Sequence, residues 1–305
     1  LVRVDLVRVL FVKKHATFKT KNALYLETLK ASQETYKTTE ASALYAFEIA
    51  QIYHLEAKSS RVNKKSDNRF KNLEAIAIYE EILEKFPKSL GAKKCKTLKS
   101  QIEQKTLEIR TEKHVPINTN SLFLIRYKNI DSLYFTSYKI HQKDLLAFRK
   151  MYKNDEKTKF IQQLEKHKSW NTTLRNEGDY LPHKTEIIVP KLEGGIYVIV
   201  SSESKEYNAE KIVGITTIQS TNLSLIENNF DRKKNYQVVD RNTGKPIKKA
   251  TIHIKNDRVN SYKKSIDRTL ISNKNGFASF QSKNRHNNVH ITVIKKSDTA
   301  VFGNY

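Results

Sequence analysis

Apolar residues recur every three to four positions along the first third of the chain, and every second position beyond it. In the opening "LVRVDLVRVLFVKK", Val2, Leu6, Val9 and Leu10 fall at helical spacing. "ASALYAFEIAQIYHLEA" and "NLEAIAIYEEILEKFP" keep that period, each with an apolar stripe that could pack against a neighbour. No proline precedes Pro87 and no glycine precedes Gly91, so neither strong breaker interrupts the segment. The pattern predicts helix throughout residues 1–112.

Within that region Ala75, Tyr79, Ile82 and Pro87 stand at offsets of 0, 4, 7 and 12. Those are the small, aromatic, small and proline positions in the second half of a tetratricopeptide repeat. Ala75 lets two helices of a hairpin approach, Tyr79 fills the gap, Pro87 ends the helix, and Ile49, Ala50 and Tyr53 supply the facing helix. "KSSRVNKKSDNRFK" between them is longer than the tight turn of such a repeat. A tetratricopeptide-like hairpin and a plain helical hairpin without a peptide groove both fit.

The period changes at "TEKHVPINTN", where Pro116 and the Asn/Thr cluster read as a linker. "SLFLIRYKN" and "SLYFTSYKIH" each alternate, and Ile130-Asp131 between them marks a hairpin or a bulged crossover. Residues 142–178 return to helical spacing and read as an insertion. "KTEIIVPKLEGGIYVIVSS" then gives two strands around Pro190 and Gly194-Gly195, with "KIVGITTIQ" after them. Residues 113–230 are expected to form an antiparallel sandwich.

A second sandwich, cut short, is expected over residues 231–305. In "VVDRNTGKPIKKATIHIK", Val238 and Val239 close a strand. Asp240 to Pro246 read as a turn: Asp and Asn bond backbone amides, Gly244 takes positive φ, and Pro246 fixes the exit. Ala250, Ile252 and Ile254 then line one face of a strand, and Thr251, His253 and Lys255 the other. "ISNKNGFASF" carries Asn275-Gly276 as a hairpin turn, and "NVHITVIKK" is the next strand. The expected class is α+β and multidomain, with N-terminal helical hairpins followed by two antiparallel β-sandwiches.

Charge changes this picture little. The chain has 305 residues and 56 basic against 32 acidic groups, a formal +24, which would suit nucleic acid, anionic lipid or an acidic partner. Only 13 of the basic residues are Arg, and the lysines are scattered through every segment. Bidentate readout of phosphate or guanine favours Arg, so a solvated surface is the preferred reading and nucleic acid is not an expected partner. No apolar run approaches the roughly 18–20 residues of a membrane span. Arg3, Asp5 and Arg8 break up the opening stretch, so it is not a secretory core. The chain begins with Leu, and any signal or lipid anchor is expected outside this segment.

Candidate chemistry is sparse. Cys95 is the only cysteine, so no intramolecular disulfide forms. With Ala92, Leu98 and Ile102 it recurs at helical spacing, which makes it a small buried hydrophobe rather than a nucleophile. His286 and His290 in "HNNVH" are four apart, but turn-then-strand context and no third ligand argue against zinc. No phosphate-cradling glycine motif or Gly-x-Ser-x-Gly elbow occurs. Glu80, Glu81 and Glu84 beside Lys85 follow ordinary helix-surface patterning, and Asp155-Glu156 falls in a Lys-rich loop. No catalytic, cofactor-binding or metal residue, and no cofactor, is expected; the segment reads as non-enzymatic.

Three stretches together resemble one family. They are "LIRYKNIDSLYFTSYKI", "PKLEGGIYVIV" with its Leu-x-x-Gly-x-Tyr strand entry, and "VVDRNTGKPIKKATIHI" with "NKNGFASF" and "ITVIKKSDTAVFGNY" after it. They are similar to the large bacterial α2-macroglobulin-like proteins of the cell envelope, over residues 115–305 well and over the front end loosely. The resemblance implies macroglobulin-type sandwiches in series within a much longer chain, a bait region that proteinases cut, and often a thioester within Cys-x-Glu-Gln. Cys95 is followed by Lys96 and Thr97, so it departs from that motif, and no family functional residue is carried onto this chain.

The resemblance further implies an N-terminal scaffold portion of a proteinase-trapping inhibitor in the periplasm or at the outer membrane. Its partners would be proteinases, met through regions outside this segment, and other envelope proteins. The competing reading is an envelope module that binds protein or glycan through helical repeats and Ig-like domains. A carboxypeptidase-regulatory-like domain shares the Gly-x-Pro turn and the Asn-Gly turn, so the sandwich alone does not separate the two. A hydrolase with an accessory sandwich would need catalytic groups outside this segment.

Overall fold

A computed structural model of the chain describes residues 2–60, 68–205, 213–228, 233–256, 266–282 and 289–303. The protein is α+β, with helices at the front and antiparallel sheets behind them in sequence. It divides into two units. The first is Leu1–Thr106 with Arg126–Asp131 and Leu174–His183; the second is Leu107–Ile125, Ser132–Thr173 and Lys184–Tyr305.

The first unit contains α1 (Val2–His15), α2 (Lys21–Thr35), α3 (Ser42–Ser59), a 3-10 turn (Asn68–Phe70), α4 (Lys71–Lys85) and α5 (Leu90–Glu103). Helix α3 is its centre, burying Ala43, Tyr45, Ala46, Ile49, Ala50, Tyr53, His54 and Ala57. Its alanines present little bulk, so neighbouring backbones can close on it. At Gly91 of α5 a Cβ would lie 2.3 Å from the carbonyl carbon of Ala43, which leaves no room for any side chain. Ser89 caps α5 by accepting the Ala92 N–H at 3.1 Å. As the spacing predicts, Ala75, Ile49, Ala50 and Tyr53 share one apolar cluster, while Ile82 packs with Ala43, Ala46 and Ala92. Cys95 is buried in α5, and desolvation pushes its thiol up to about 11.

Two details of the helical reading change. Val9 is buried and Val2 and Leu6 pack beside it, but Leu10 faces solvent. The last helix ends at Glu103 rather than near residue 112, because the alternating "TLEIR" forms β1 (Thr106–Arg110).

Hydrogen bonds tie the two distant segments into this unit. Asn72 at the start of α4 is fully buried; its amide donates to the Asp179 carbonyl at 3.1 Å, and its Oδ1 lies 2.8 Å from His54 Nδ1. Burial holds the His54 pKa below its ordinary value. The buried Asp179 carboxylate accepts the Leu181 N–H and lies 2.9 Å from His183 Nε2. Arg69 pairs with Glu177 at 2.7 Å, and Asn129 donates to the Ile102 carbonyl at 3.0 Å.

The second unit holds two β-modules in series. The first has a sheet β1-β3-β6, with β3 (Ser121–Lys128) and β6 (His183–Val189). Its other sheet is β2-β8-β7-β4-β5, comprising β2 (His114–Val115), β4 (Ser132–Ile140), β5 (Lys166–Thr173), β7 (Gly195–Ser202) and β8 (Val213–Ser220). The sheets meet closely: a Cβ on Gly214 of β8 would lie 2.7 Å from Ile109 and 3.1 Å from Leu107 of β1. Helices α6 (Gln142–Arg149) and α7 (Asn154–Gln162) cover the outer side of the five-stranded sheet. There Leu145, Phe148 and Ile161 pack with Ile196, Val198 and Val200. Strand β7 is therefore buried on both faces, which explains its unbroken "IYVIV".

The second module pairs a sheet β13-β10-β9 with a sheet β12-β11-β14-β15. Its strands are β9 (Leu223–Glu227), β10 (Lys233–Asp240), β11 (Thr251–Lys255), β12 (Asp267–Ile271), β13 (Phe277–Gln281), β14 (His290–Lys295) and β15 (Asp298–Phe302). Ala250, Ile252 and Ile254 are buried with Val238, Ile291 and Val293, the face the alternation predicts. The Asp240 turn forms, with its Oδ1 accepting from the Thr243 amide and hydroxyl and from the Asn242 amide and with Gly244 at φ +69°, but the Asn242 side chain reaches the Asn222 side chain at 3.4 Å rather than a backbone amide.

Several expectations for this part are corrected. Residues 166–173 are strand rather than helical insertion, and Trp170 stacks on Phe135 with ring centres 5.3 Å apart. Asp155 and Glu156 sit in the first turn of α7, not in a loop. The supposed linker supplies β2, which pairs parallel with β8. Strand β9 lies before residue 231 yet pairs with β10, so it belongs to the second module. Asn275-Gly276 is not a hairpin turn: β12 pairs with β11 and β13 with β10, so it carries the chain from one sheet to the other. Asn273 holds that corner by accepting the amides of Asn275 and Phe277. Ile130-Asp131 likewise joins strands of different sheets and is a crossover.

Candidate functional site

A connected set of buried polar contacts in the second unit lies where one β-module passes into the next. Strand β8 ends at Ser220, and only Thr221 and Asn222 separate it from β9. Two residues of chain do not by themselves fix an angle, so the fixing must come from side chains. Gln219, which is 1% exposed, supplies most of it. Its amide donates to the Val301 carbonyl at 2.8 Å and its Oε1 accepts the Val301 N–H at 2.8 Å, closing a two-point clamp on β15.

Asp298, at the start of β15, grips the connecting residues. One carboxylate oxygen accepts the Thr221 hydroxyl at 2.7 Å and the other the Asn222 N–H at 2.9 Å. Asn222 in turn accepts the Ile117 N–H on its side chain at 3.1 Å and the Arg241 N–H on its carbonyl at 2.8 Å. Gln142 at the start of α6 bonds to Thr292, the register partner of Val301 on β14. The Val301 side chain is fully buried among Ile140, Val198 and Val200 of the first module. A peg of the second module thus sits in the apolar layer of the first. Amide, hydroxyl and carboxylate groups are all paired here, and such a network sets geometry rather than moving protons.

His114 completes the joint. Its ring stacks on Phe302 with centres 4.6 Å apart. Its Nε2 lies 3.0 Å from the Val301 carbonyl, to which the N–H tautomer donates, and 3.1 Å from the Gln219 amide, from which the bare nitrogen accepts. Both arrangements are neutral. Burial, then the cations Arg241, Arg149 and Lys113, hold the His114 pKa below its ordinary 6.5. Above that value the ring is neutral folded and unfolded, and contributes no pH dependence. As pH falls through it the unfolded chain takes the proton first, so stability declines until the folded ring protonates too. The urea midpoint of the chain should therefore drop as pH falls below the ordinary histidine range, and His114→Gln should flatten part of that drop. An unaltered pH profile in the variant would mean that the ring is not buried in its neutral form.

The residues weighed for chemistry in the sequence do not gather here. Cys95 lies in the helical core, Glu81 pairs with Lys85 at 2.7 Å on α4, and Glu80 faces Lys99 at 3.6 Å. His290 begins β14, while His286 lies outside the described residues. Among the described residues no three His, Cys, Asp or Glu side chains are grouped as metal ligands, and no helix is long and apolar enough to cross a membrane. Gln219 and Asp298 carry no sequence motif; the only hint is a buried-strand pattern, "GITTIQ", that ends on an amide.

No protein-family model matches the chain, and no curated protein matches it in sequence. Among solved structures it is similar to native α2-macroglobulin from Escherichia coli spanning domains MG0-NIE-MG1. The identity is 11% and the TM-score 0.49, over 66% of this chain and 64% of that one. A shorter Escherichia coli structure, spanning domains NIE-MG1, matches at 10% identity and TM-score 0.47, over 66% of this chain and 97% of that one. A Salmonella α2-macroglobulin variant matches at 10% identity and TM-score 0.42, over 66% of this chain and 12% of that one.

Proposed function

We propose that this chain is a non-enzymatic framework segment of an α2-macroglobulin-like proteinase trap in the bacterial cell envelope, with its helical front built on a tetratricopeptide-like hairpin. The observation that carries the proposal is the joint. The stretches on which the family resemblance rests, "VVDRNTGKP" and "SDTAVFGNY", are the ones that supply Arg241, Asp298, Val301 and Phe302 to it. A trap that works by rearranging sandwich modules after a cut needs neighbouring modules that move as one body. A two-residue connection braced by Gln219, Asp298 and a buried Val301 meets that need.

In this role the segment inhibits nothing by itself, because the change of shape belongs to the whole framework. The test compares the 305-residue chain with the complete product of its gene, each incubated with trypsin. Residual activity is read on casein and on a small chromogenic peptide. The complete product, once cleaved, should protect casein while leaving peptide hydrolysis intact, and the 305-residue chain should leave both untouched. Block of both substrates would indicate an active-site inhibitor. Protection of neither by the complete product would reject the trap and favour an envelope-binding module.

A further inference from the structure

Helix α1 is apolar on two opposite sides, and the fold uses only one. Val9 is buried and Val2 and Leu6 pack against the core of the first unit. On the far side Val4, Val7 and Phe11 are 71%, 68% and 61% exposed. They are spaced three and then four residues apart, so they form one line along the helix, which Lys14 ends. Arg3 and Leu10 border the line on one side, and Arg8 and His15 on the other. Asp5 is the helix's only acid; it lies toward the inner side, bonded to Arg8 at 2.6 Å and to the Tyr45 hydroxyl at 2.8 Å. A surface helix needs a single apolar face, so the second one is unexplained by this unit's own packing.

We propose that the outer face of α1 is a docking seam for an amphipathic partner helix whose apolar ridge is flanked by Asp and Glu. The three–four spacing is that of an a/d seam, and the cations stand where flanking charges select a partner. Charge excludes a second copy of this chain: Arg3, Arg8 and Lys14 would face their own equivalents across the seam. Shape argues against a lipid surface. Leu10 and Val12 are also 48% and 51% exposed, but at 100° per residue Arg3 stands between the line and Leu10 and Arg8 between the line and Val12, whereas helices that lie in a bilayer interface present a broad apolar face.

The test uses the 305-residue chain and two fluorescent peptides of about three heptads, both with Leu at a and d, one with Glu and the other with Lys at the flanking e and g positions. The Glu-flanked peptide should bind, and Val7→Ser/Phe11→Ser, which leaves net charge unchanged at two exposed sites, should weaken it about tenfold or more. Arg3→Glu/Lys14→Glu should reverse the preference toward the Lys-flanked peptide. Circular dichroism of each variant should match the parent. Equal binding of both peptides, or binding insensitive to Val7→Ser/Phe11→Ser, would overturn the proposal. So would phosphatidylglycerol vesicles captured through Val7 and Phe11, or self-association in sedimentation that the same pair of substitutions abolishes.

Discussion

Gly91→Ala should destabilise the helical unit by about 2 kcal/mol, although alanine is ordinarily the better helix former by about 1 kcal/mol. The sign is the informative part. A methyl group at that position would lie 2.3 Å from the carbonyl carbon and oxygen of Ala43 and 2.5 Å from its Cβ. Two of those atoms are backbone, so the clash is not relieved by turning a side chain. Helix α5 must move off α3, and the contacts of Ala92 and Ile82 with Ala43 and Ala46 loosen with it. Urea unfolding followed at the helical circular-dichroism band measures the loss, and Ser89→Ala, which removes only the cap, should cost about 1 kcal/mol. A stabilised Gly91→Ala would show that the helices stand further apart than described.

Gln219→Leu should cost more, about 3 kcal/mol, because it leaves both the N–H and the carbonyl of Val301 without their amide partner in a buried site. The side chain stays similar in bulk, so the loss isolates hydrogen bonding from packing. His114 still reaches the Val301 carbonyl, so the N–H is the group left most exposed to the penalty. Hydrogen exchange at Val301 should speed up well before amides of β7 do, since the joint can open without melting the sheet. Gln219→Glu should cost at least as much near neutral pH, because its buried carboxylate accepts the N–H but sets a second oxygen against the Val301 carbonyl, and the loss should shrink as acid protonates it. Exchange at Val301 that is unchanged in Gln219→Leu would mean that the clamp does not hold the modules.

The local features were legible in the sequence and the distant ones were not. Helical spacing located the core positions of α3 and α4, and Asp240 with Gly244 announced a turn that forms around those two residues. Both signals act within a few residues. Strand β5 escaped because "KHKSWNTT" is a largely exposed edge whose polar residues show no apolar alternation. Sheet membership escaped as well: a turn such as Asn275-Gly276 looks the same whether the strands beyond it pair or part. The joint was least visible, since Gln219 and Val301 meet across 82 residues of chain and neither belongs to a motif.

Asn72 sets an order of events during synthesis. Its amide hydrogen finds its acceptor, the Asp179 carbonyl, 107 residues later in the chain. A ribosome delivers α1–α5 first, and those helices can pair as they emerge, but the pocket at the start of α4 stays unfinished until the segment ending at His183 has been made. Until then Asn72 and His54 have only each other and water. The front of the protein therefore matures after its own successor strands have begun to appear, and a fragment cut at the end of the helices would keep that open pocket permanently.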